Sequence, residues 1–473
     1  MVLKEKIAYN TILQLIGKVL GLLIGFFSIA LLTRYLGKNG YGQYTTIIAF
    51  LQLFGIIADL GIYNIVVQLI NQPKVDEDKI VSNALTLRLF SLFFFLFIAC
   101  LIGFFIPTYS LTIKIGICLT SLTIVFVSLN QILVASFQKR LNMFNVVLAD
   151  FMGKFVNLVL IVLAVILKLN FFFILFALVF SSFLNFLSVL FSTKKFLKIR
   201  PAFDLNLWRI ILKRSWPIGL SIIFSAFYFK IDTVLLSLFR SQSEVGIYGA
   251  SYRLVEVLNS FPMLFIGLIA PLLNQSWAKN DLSYFKSVLQ KSFDSLIIVV
   301  IPLVFGGYIL AKKIMLLIAG NQFTQSGDVF RILIFAVAFL FLGQLFSQAM
   351  IALRQQKMMM KYYILTFIVG LVGYLILIPR YSYFGAAIMT VLTEFLITCL
   401  SGIFLLRMLK IKLKPDSFLK SLFSAGVMAF FLIMFPLKNF FILFFLGTII
   451  YFLTLYLIGG YSAEFIKQLI RTK

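Results

Sequence analysis

Long apolar runs separated by short polar turns recur about fourteen times along the chain. Each run is long enough to cross the ~30 Å hydrocarbon core of a bilayer as a helix. The pattern therefore predicts an all-α polytopic membrane protein. The predicted spans are 10–33, 41–70, 82–106, 111–137, 146–167, 171–192, 211–239, 246–273, 290–311, 327–353, 359–378, 383–407, 418–435 and 439–459.

The composition supports the same class. Of the 473 residues, 62% are hydrophobic and only 12% are charged, which excludes a soluble globular protein because such a protein needs a polar surface. The three cysteines lie singly in apolar runs, and the chain has no histidine. Metal-ligand spacings and thiol–imidazole catalysis are therefore absent, and we expect neither an enzyme nor a bound metal.

The basic residues are sorted between alternate turns. With the N-terminus in the cytosol and bases at the cytosolic ends of spans counted with the adjoining segments, 27 of the 42 lysines and arginines are cytosolic, 8 fall in outer segments and 7 lie inside predicted spans. By the positive-inside rule this predicts an even number of spans with both termini in the cytosol. The net charge of +26 then reflects membrane orientation, so we expect no nucleic-acid partner. Twelve spans are the alternative if two runs are re-entrant.

A basic connector over 193–213 divides the chain into two six-helix halves, 1–192 and 214–410, with two further helices and a tail over 411–473. Two pairs of similar segments support this division. Tyr41-Gly42-Gln43-Tyr44 opens the second span and Val245-Gly246-Ile247-Tyr248 opens the eighth, while 135–153 resembles 352–370. The pairs occur in the same order, which predicts a parallel repeat about an axis along the membrane normal.

Seven basic residues lie within predicted spans, apart from those at the cytosolic ends of spans: Lys18, Arg88, Lys114, Lys154, Lys230, Arg253 and Arg331. A charge at the bilayer centre costs roughly 2.5–3.5 kcal/mol, so such residues normally face a partner or an aqueous cavity. Lys114 and Arg331 lie near the ends of their spans and can snorkel to the interface. The other five predict a lumen for an anionic substrate, with Lys154, Lys230 and Arg253 as the main candidates and Arg88 and Lys18 at its inner mouth.

Acidic residues accompany these bases. Asp150 and Lys154 are spaced i,i+4, and Arg253 and Glu256 are spaced i,i+3, so each pair shares a helix face. Two interpretations stay open: the acid only neutralises its base, or the base leaves its acid when an anionic substrate arrives. Four acids are candidates for lumen or ion-coupling roles: Asp59, Asp232, Glu256 and Glu394.

Four segments resemble one transporter family. They are the turn Arg34-Tyr35-Leu36-Gly37-Lys38-Asn39-Gly40-Tyr41-Gly42-Gln43-Tyr44, the tetrad Ala58-Asp59-Leu60-Gly61, the stretch from Asp232 to Glu256, and Pro379 to Ala387 with Glu394 beyond it. In this order they are similar to the oligosaccharide flippases of the Wzx type. Their superfamily also holds the lipid II flippase MurJ and the MATE multidrug exporters. Arg34, Gly37, Tyr41 and Gly42 match the family's turn motif.

The resemblance implies two helical bundles around a V-shaped lumen, which alternate access by rocking. It implies transport of an undecaprenyl-diphosphate-linked oligosaccharide from the cytosolic to the outer leaflet of the bacterial inner membrane, for O-antigen or capsule synthesis. A polysaccharide polymerase and a chain-length regulator are the implied partners, besides membrane lipids. Resemblance to the exporters implies coupling to a Na⁺ or H⁺ gradient, with no other cofactor. Resemblance to MurJ implies that 418–459 forms an apolar groove for the lipid tail.

Three other functions are the alternatives. A multidrug exporter carries mostly cations and would favour an acidic lumen, which the excess of bases within the spans argues against. A MurJ-like lipid II flippase fits the same charges. A membrane glycosyltransferase or polymerase would need a large outer loop with catalytic carboxylates, whereas the longest outer loop here, 312–328, has Asp328 as its only acid.

Overall fold

The computed structural model describes the backbone of residues 3–435 and 439–460, and its regular structure is helical. This confirms the all-α class. The helices are α1 (Leu3–Asp59), α2 (Ile62–Ile70), α3 (Glu77–Phe105), α4 (Leu111–Lys139), α5 (Phe144–Ile166), α6 (Phe171–Thr193), α7 (Leu205–Phe239), α8 (Gln242–Ala278), α9 (Leu282–Ala319), α10 (Thr324–Ala352), α11 (Gln356–Leu409), α12 (Asp416–Met434) and α13 (Phe440–Leu457), with one 3₁₀ turn at Asn321–Phe323.

Eleven of these helices are long and apolar enough to cross a bilayer, which makes the chain a multi-pass membrane protein. Two of the eleven each reach over two predicted spans: α11 holds both of its spans, and α1 holds the first span and most of the second. In α1 the spans are separated at Gly37, whose φ of 63° is readily adopted by glycine, and in α11 they are separated at Ser382, with φ 53°. α7 covers the seventh predicted span. Helix is therefore present in each of the fourteen predicted spans.

The second predicted span, 41–70, is one run in the sequence but two helices in the structure. α1 ends at Asp59 and α2 starts at Ile62, because Leu60 and Gly61 both have left-handed backbone angles, with φ of 46° and 74°. Leucine pays a steric cost for this conformation, so the surrounding packing must hold it there. The break lies in the Asp59-Leu60-Gly61 segment that carried part of the family resemblance.

The chain forms two compact units, 1–249 and 250–473. α7 and the first turns of α8 thus pack with the helices that precede them, while the division at the connector 193–213 stays a prediction about the repeat. In the first unit, one apolar cluster is built around Ile62, Leu133 and Phe137. A second surrounds Phe50 and Ile117.

Polar residues start many helices at the predicted turns. Asp76, Ser110, Asn170, Asp204 and Asp281 each accept a backbone N–H from the first turn of the following helix. Such caps satisfy donors that have no partner within the helix. At Asp204 the side chain of Lys79 and the N–H of Leu207 hold the pKa of the carboxyl below its ordinary value.

Segments 41–44 and 245–248, the first of the two pairs that suggested the repeat, contact each other in the first unit. A Cβ added to Gly42 would overlap the carbonyl oxygen of Gln242 and lie 3.0 Å from the backbone nitrogen of Gly246. A Cβ added to Gly246 would overlap the carbonyl oxygen of Lys38 and lie 3.1 Å from the nitrogen of Gly42. Only glycine lets the two backbones approach this closely. Thr46 adds a hydrogen bond of 2.6 Å to the side chain of Gln242.

In the second unit, the two C-terminal helices α12 and α13 pack on α9. The hydroxyl of Tyr451 in α13 donates to the carbonyl of Ile298 in α9 over 2.8 Å. The amide of Gln290 binds both the backbone N–H and the carbonyl of Lys414, at 2.9 and 3.3 Å. These polar contacts fix the C-terminal pair to the rest of its unit.

Candidate functional site

The first unit carries an exposed ion pair on α5. The Lys154 ammonium lies 2.7 Å from a carboxylate oxygen of Asp150, one turn earlier on the helix. Their side chains are 43% and 47% exposed within the protein. Lys154 therefore satisfies its charge on its own helix, and the side chains of the pair stay partly exposed.

Glycine on α1 makes room for this lysine. A Cβ added to Gly21 would lie 2.5 Å from the Lys154 nitrogen and 3.2 Å from its Cδ, so the lysine side chain lies across Gly21. One turn earlier, Gly17 packs on Val147 of α5. The pair of glycines lets α1 and α5 approach closely and sets the position of the lysine.

The second unit carries a similar pair on α8. Arg253 donates to Glu256 over 2.5 Å, and their side chains are 49% and 27% exposed. Asn259 and Ser260 continue this side of the helix: Asn259 accepts from Gln344 of α10 at 3.1 Å, and Ser260 donates to the carbonyl of Glu256 at 3.2 Å. Arg253 is thus a partly exposed member of a polar stripe inside an apolar segment.

Arg88 is placed differently from the other intramembrane bases. Its side chain is only 1% exposed, and it forms an ion pair with Asp59. It also donates to the carbonyl of Ala58 at 3.2 Å, which receives a second hydrogen bond of 2.7 Å from Ser91. These contacts provide hydrogen-bond donors for a backbone carbonyl at the C-terminal end of α1, where the second predicted span is broken. A base buried in this way has little surface to offer an anion in this conformation, so its lumen role stays a prediction.

Asp232 and Glu394 are buried acids. Asp232 is 1% exposed and accepts hydrogen bonds from the hydroxyl of Tyr248, at 2.5 Å, and from the backbone and hydroxyl of Thr233. Glu394 is 5% exposed in α11, between the buried threonines at one turn on either side of it. Each acid sits within its own unit, in the first and second respectively.

Four predicted bases remain: Lys18, Lys230, Lys114 and Arg331. Lys18 is exposed on α1, one turn before Gly21, and Lys230 is partly exposed on α7. Lys114 lies over the ring of Phe104, 5.2 Å from its centroid. Arg331 pairs with Asp328 at 3.3 Å. The structure therefore brings Lys18 and Lys154 onto adjoining helices, and does not gather the seven bases into one cluster within either unit.

In the turn motif, Gly37 and Gly42 have separate roles. Gly37 allows the break in α1, and Gly42 allows the close crossing with α8. Tyr41 is 4% exposed and stacks on Tyr44, with 6.1 Å between ring centroids. Arg34 is exposed beside Tyr35, whose hydroxyl donates to the carbonyl of Leu169 at 2.5 Å. The motif thus shapes the backbone between two spans.

Over the part of the chain that the structure describes, no three His, Cys, Asp or Glu side chains lie together as metal ligands would. The site chemistry is ionic and hydrogen-bonding: each of two partly exposed bases holds an acid on its own helix. Such cations bind phosphate oxygens through charge-assisted hydrogen bonds.

The family model described as "Polysaccharide biosynthesis protein" matches residues 5–277, more than half of the chain. The chain belongs to this family. A second model, described as MatE, matches residues 217–376.

One curated protein is similar in sequence to this member of the polysaccharide biosynthesis family. A probable low-salt glycan biosynthesis flippase, Agl15 of Haloferax volcanii, is 26% identical over 206 residues. That match spans 43% of this chain and 44% of the relative's length.

Solved structures share the fold. A structure of the lipid II flippase MurJ in an inward closed conformation aligns with a TM-score of 0.77 at 17% identity, over 98% of this chain and 100% of that one. An inward-facing MATE family multidrug resistance transporter of the MOP superfamily aligns with a TM-score of 0.67 at 12% identity, over 82% of this chain and 94% of that one.

Sequence reasoning missed two parts of these sites. The four-residue spacing of Gly21 and Gly25 predicts a packing face on α1, but in the structure Gly17 and Gly21 are the glycines that contact α5, and nothing in the sequence identifies α5 as the partner. Tyr248 belongs to the repeat segment, yet only the fold brings its hydroxyl to Asp232.

Proposed function

We propose that this protein is a flippase for lipid-linked oligosaccharides. Its cargo is a saccharide on undecaprenyl diphosphate, moved from the cytosolic to the outer leaflet of the bacterial inner membrane for O-antigen or capsule synthesis. Family membership and the flippase among the relatives support this class of activity. The diphosphate is the part of such a cargo that costs most to move through lipid.

The observation that carries the proposal is a partly exposed base within an apolar helix of each unit, Lys154 in the first and Arg253 in the second. A purely structural bundle would be more stable with leucine at these positions, since intramembrane charges are costly. Each base already holds one acid. On arrival of a diphosphate, each exchanges that carboxylate for phosphate oxygens, so the cation stays satisfied with and without cargo. The sugars then need only aqueous volume.

The same proposal includes coupling to a Na⁺ or H⁺ gradient. The acids available are Asp59, Asp232, Glu256 and Glu394. Asp59 and Glu256 are held by arginines, whereas Asp232 accepts from hydroxyl and backbone donors. Transport in vesicles would be measured with a Na⁺ gradient, with a proton gradient and with neither; equal rates in all three would refute coupling.

The proposed setting is the inner membrane with both termini in the cytosol, beside a polysaccharide polymerase and a chain-length regulator. The charge sorting supports the orientation. A fluorescent protein that matures only in the cytosol, fused to the C-terminus, should fluoresce; a dark but stably expressed fusion would overturn the orientation. Cross-linking in cells that contain the two partners would test the assembly.

A multidrug exporter is the second candidate, favoured by the MatE match over 217–376. The two candidates differ in the charge of the cargo. Purified protein in vesicles would be offered either a fluorescent organic cation or a lipid-linked diphosphate saccharide. Movement of the cation alone would establish the exporter and refute the flippase.

A lipid II flippase is the third candidate, supported by the fold shared with MurJ. It shares the diphosphate chemistry and differs in its saccharide. Complementation separates the two: growth of cells depleted of their lipid II flippase would favour it. We instead expect this gene to restore surface polysaccharide in cells that lack their own oligosaccharide flippase. Failure there, with normal protein level, would count against the proposal.

A further inference from the structure

The connector between α6 and α7 is strapped along α3 by a regular series of hydrogen bonds. Its backbone N–H groups at alternate residues donate to α3 side chains spaced four residues apart. The bonds, each 3.2 Å long, run from Lys198 to Asp78, from Arg200 to Ser82 and from Ala202 to Thr86. Two residues of extended chain advance about 6.7 Å, and four residues of helix advance about 6 Å. The two periods match, so the connector lies straight on the helix.

The end of the strap is fixed more tightly. The buried amide oxygen of Asn83 accepts from the N–H of Asp204 at 2.7 Å and from the indole of Trp208 at 3.1 Å. The carboxylate of Asp204 binds Lys79 at 2.7 Å. The ring of Trp208 packs with Phe90, at 5.8 Å between centroids. The connector is thus an ordered element with a defined outer face.

The exposed side chains of this element combine bases with large apolar residues. Phe203 is 64% exposed and Leu205 is 74% exposed. The exposed bases of the connector and the first turns of α7 are Lys194, Lys195, Lys198, Arg200, Arg209, Lys213 and Arg214. They are spread along residues 194–214. A line of bases with interleaved apolar residues matches an anionic membrane surface better than a single bound anion.

We propose that this strap docks on the headgroups of anionic phospholipids in the cytosolic leaflet. Its bases contact lipid phosphates, while Phe203 and Leu205 enter the boundary between headgroups and acyl chains. Because the connector backbone is hydrogen-bonded to α3, its binding to lipid headgroups would also hold this membrane-spanning helix. The inference is independent of the transported cargo, since the strap would bind ordinary bilayer lipid.

Trp208 provides a reporter within the element. The chain has three tryptophans, so Trp216→Phe and Trp277→Phe leave Trp208 alone. This protein would be reconstituted in vesicles whose brominated, quenching lipid is either phosphatidylglycerol or phosphatidylcholine, at equal bromine content. We expect at least twofold stronger quenching by the anionic lipid, and we expect this preference to shrink at high salt. Equal quenching by the two lipids would overturn the proposal.

A charge variant and a matched control complete the test. The variant replaces Lys194, Lys195, Lys198 and Arg200 by glutamine. The control also introduces four glutamines, at exposed bases in other predicted cytosolic segments: Lys357, Lys361, Lys410 and Lys412. We expect the variant to lose the preference and the control to keep it, at similar thermal stability. Loss in the control alone would refute the assignment. A fluorescence response to inorganic pyrophosphate without a response to phosphatidylglycerol would also refute it, because it would indicate a cargo headgroup site.

Discussion

Gly42 and Gly246 face each other across the crossing of α1 and α8, each against the backbone carbonyl four residues before the other. The carbonyl beside Gly42 belongs to Gln242, and the carbonyl beside Gly246 belongs to Lys38. Such reciprocity is what a two-fold relation between the two helices produces. The similarity of the two segments in the sequence therefore has a physical reason: both supply a glycine to one crossing.

Gly42→Ala should destabilise the protein. The new Cβ would overlap the carbonyl of Gln242, which is backbone and can move only by separating the helices. Overpacking of this kind costs about 1–3 kcal/mol. A lower thermal unfolding midpoint in detergent is expected. Gly25→Ala is the control, because a Cβ there meets no described atom beyond its own stretch of helix within 4 Å. Equal midpoints for both variants would disprove the close crossing.

Arg88→Leu alone should lower the free energy of unfolding more than Arg88→Leu combined with Asp59→Leu does. The single change leaves an acid without its partner at the end of α1, and breaking a buried pair from one side costs about 3–5 kcal/mol. Asp59 is partly exposed, so we expect the lower end of that range. A double-mutant cycle on unfolding would measure the coupling. Simple additivity of the two changes would show that the pair does not hold the broken span.

Gly21→Ala should displace the Lys154 ammonium with little effect on the stability of the protein. The atom that must move is the end of a flexible lysine, so the folding cost should be small. Transport should nevertheless fall several-fold, because the ammonium is displaced. Surface polysaccharide and protein level would be measured together. Normal export would show that the precise position of Lys154 does not matter.

Asn83→Ala should loosen the connector. It removes the acceptor for both Asp204 and Trp208, so trypsin should cut after Lys198 several times faster than in the parent protein. Asn71→Ala is the control: its side chain binds only the carbonyl of Val67 among the bonds described for it, far along the chain from the connector. Unchanged cleavage in Asn83→Ala would contradict the strapped arrangement.

Most of the fold could be predicted from the sequence because apolar length and polar caps are local properties. The spans near 111–137 and 171–192 became α4 and α6 almost residue for residue. The break after Asp59 could not be predicted in this way. It depends on Arg88 and Ser91, which reach the end of α1 from another helix.

The candidate site, too, could be predicted only where it depends on local sequence. The pairs Asp150–Lys154 and Arg253–Glu256 are set by spacing on one helix, and the structure contains both. Arg88 shows the limit of that reasoning. Depth in a span predicted its cost, but only tertiary packing decides whether a base is buried beside an acid or left exposed, as Lys154 is.

Transport by purified protein in vesicles tests the central claim most directly. A fluorescent saccharide on a lipid diphosphate would be followed between leaflets by a quencher that cannot cross the membrane. The comparison includes the parent protein, Lys154→Gln, Arg253→Gln and the control Lys114→Gln. A hydrogen bond to a charged group contributes about 1.5–3 kcal/mol. We therefore predict that the first two variants are at least about tenfold slower and that Lys114→Gln matches the parent. Parent rates in both Lys154→Gln and Arg253→Gln would contradict the account.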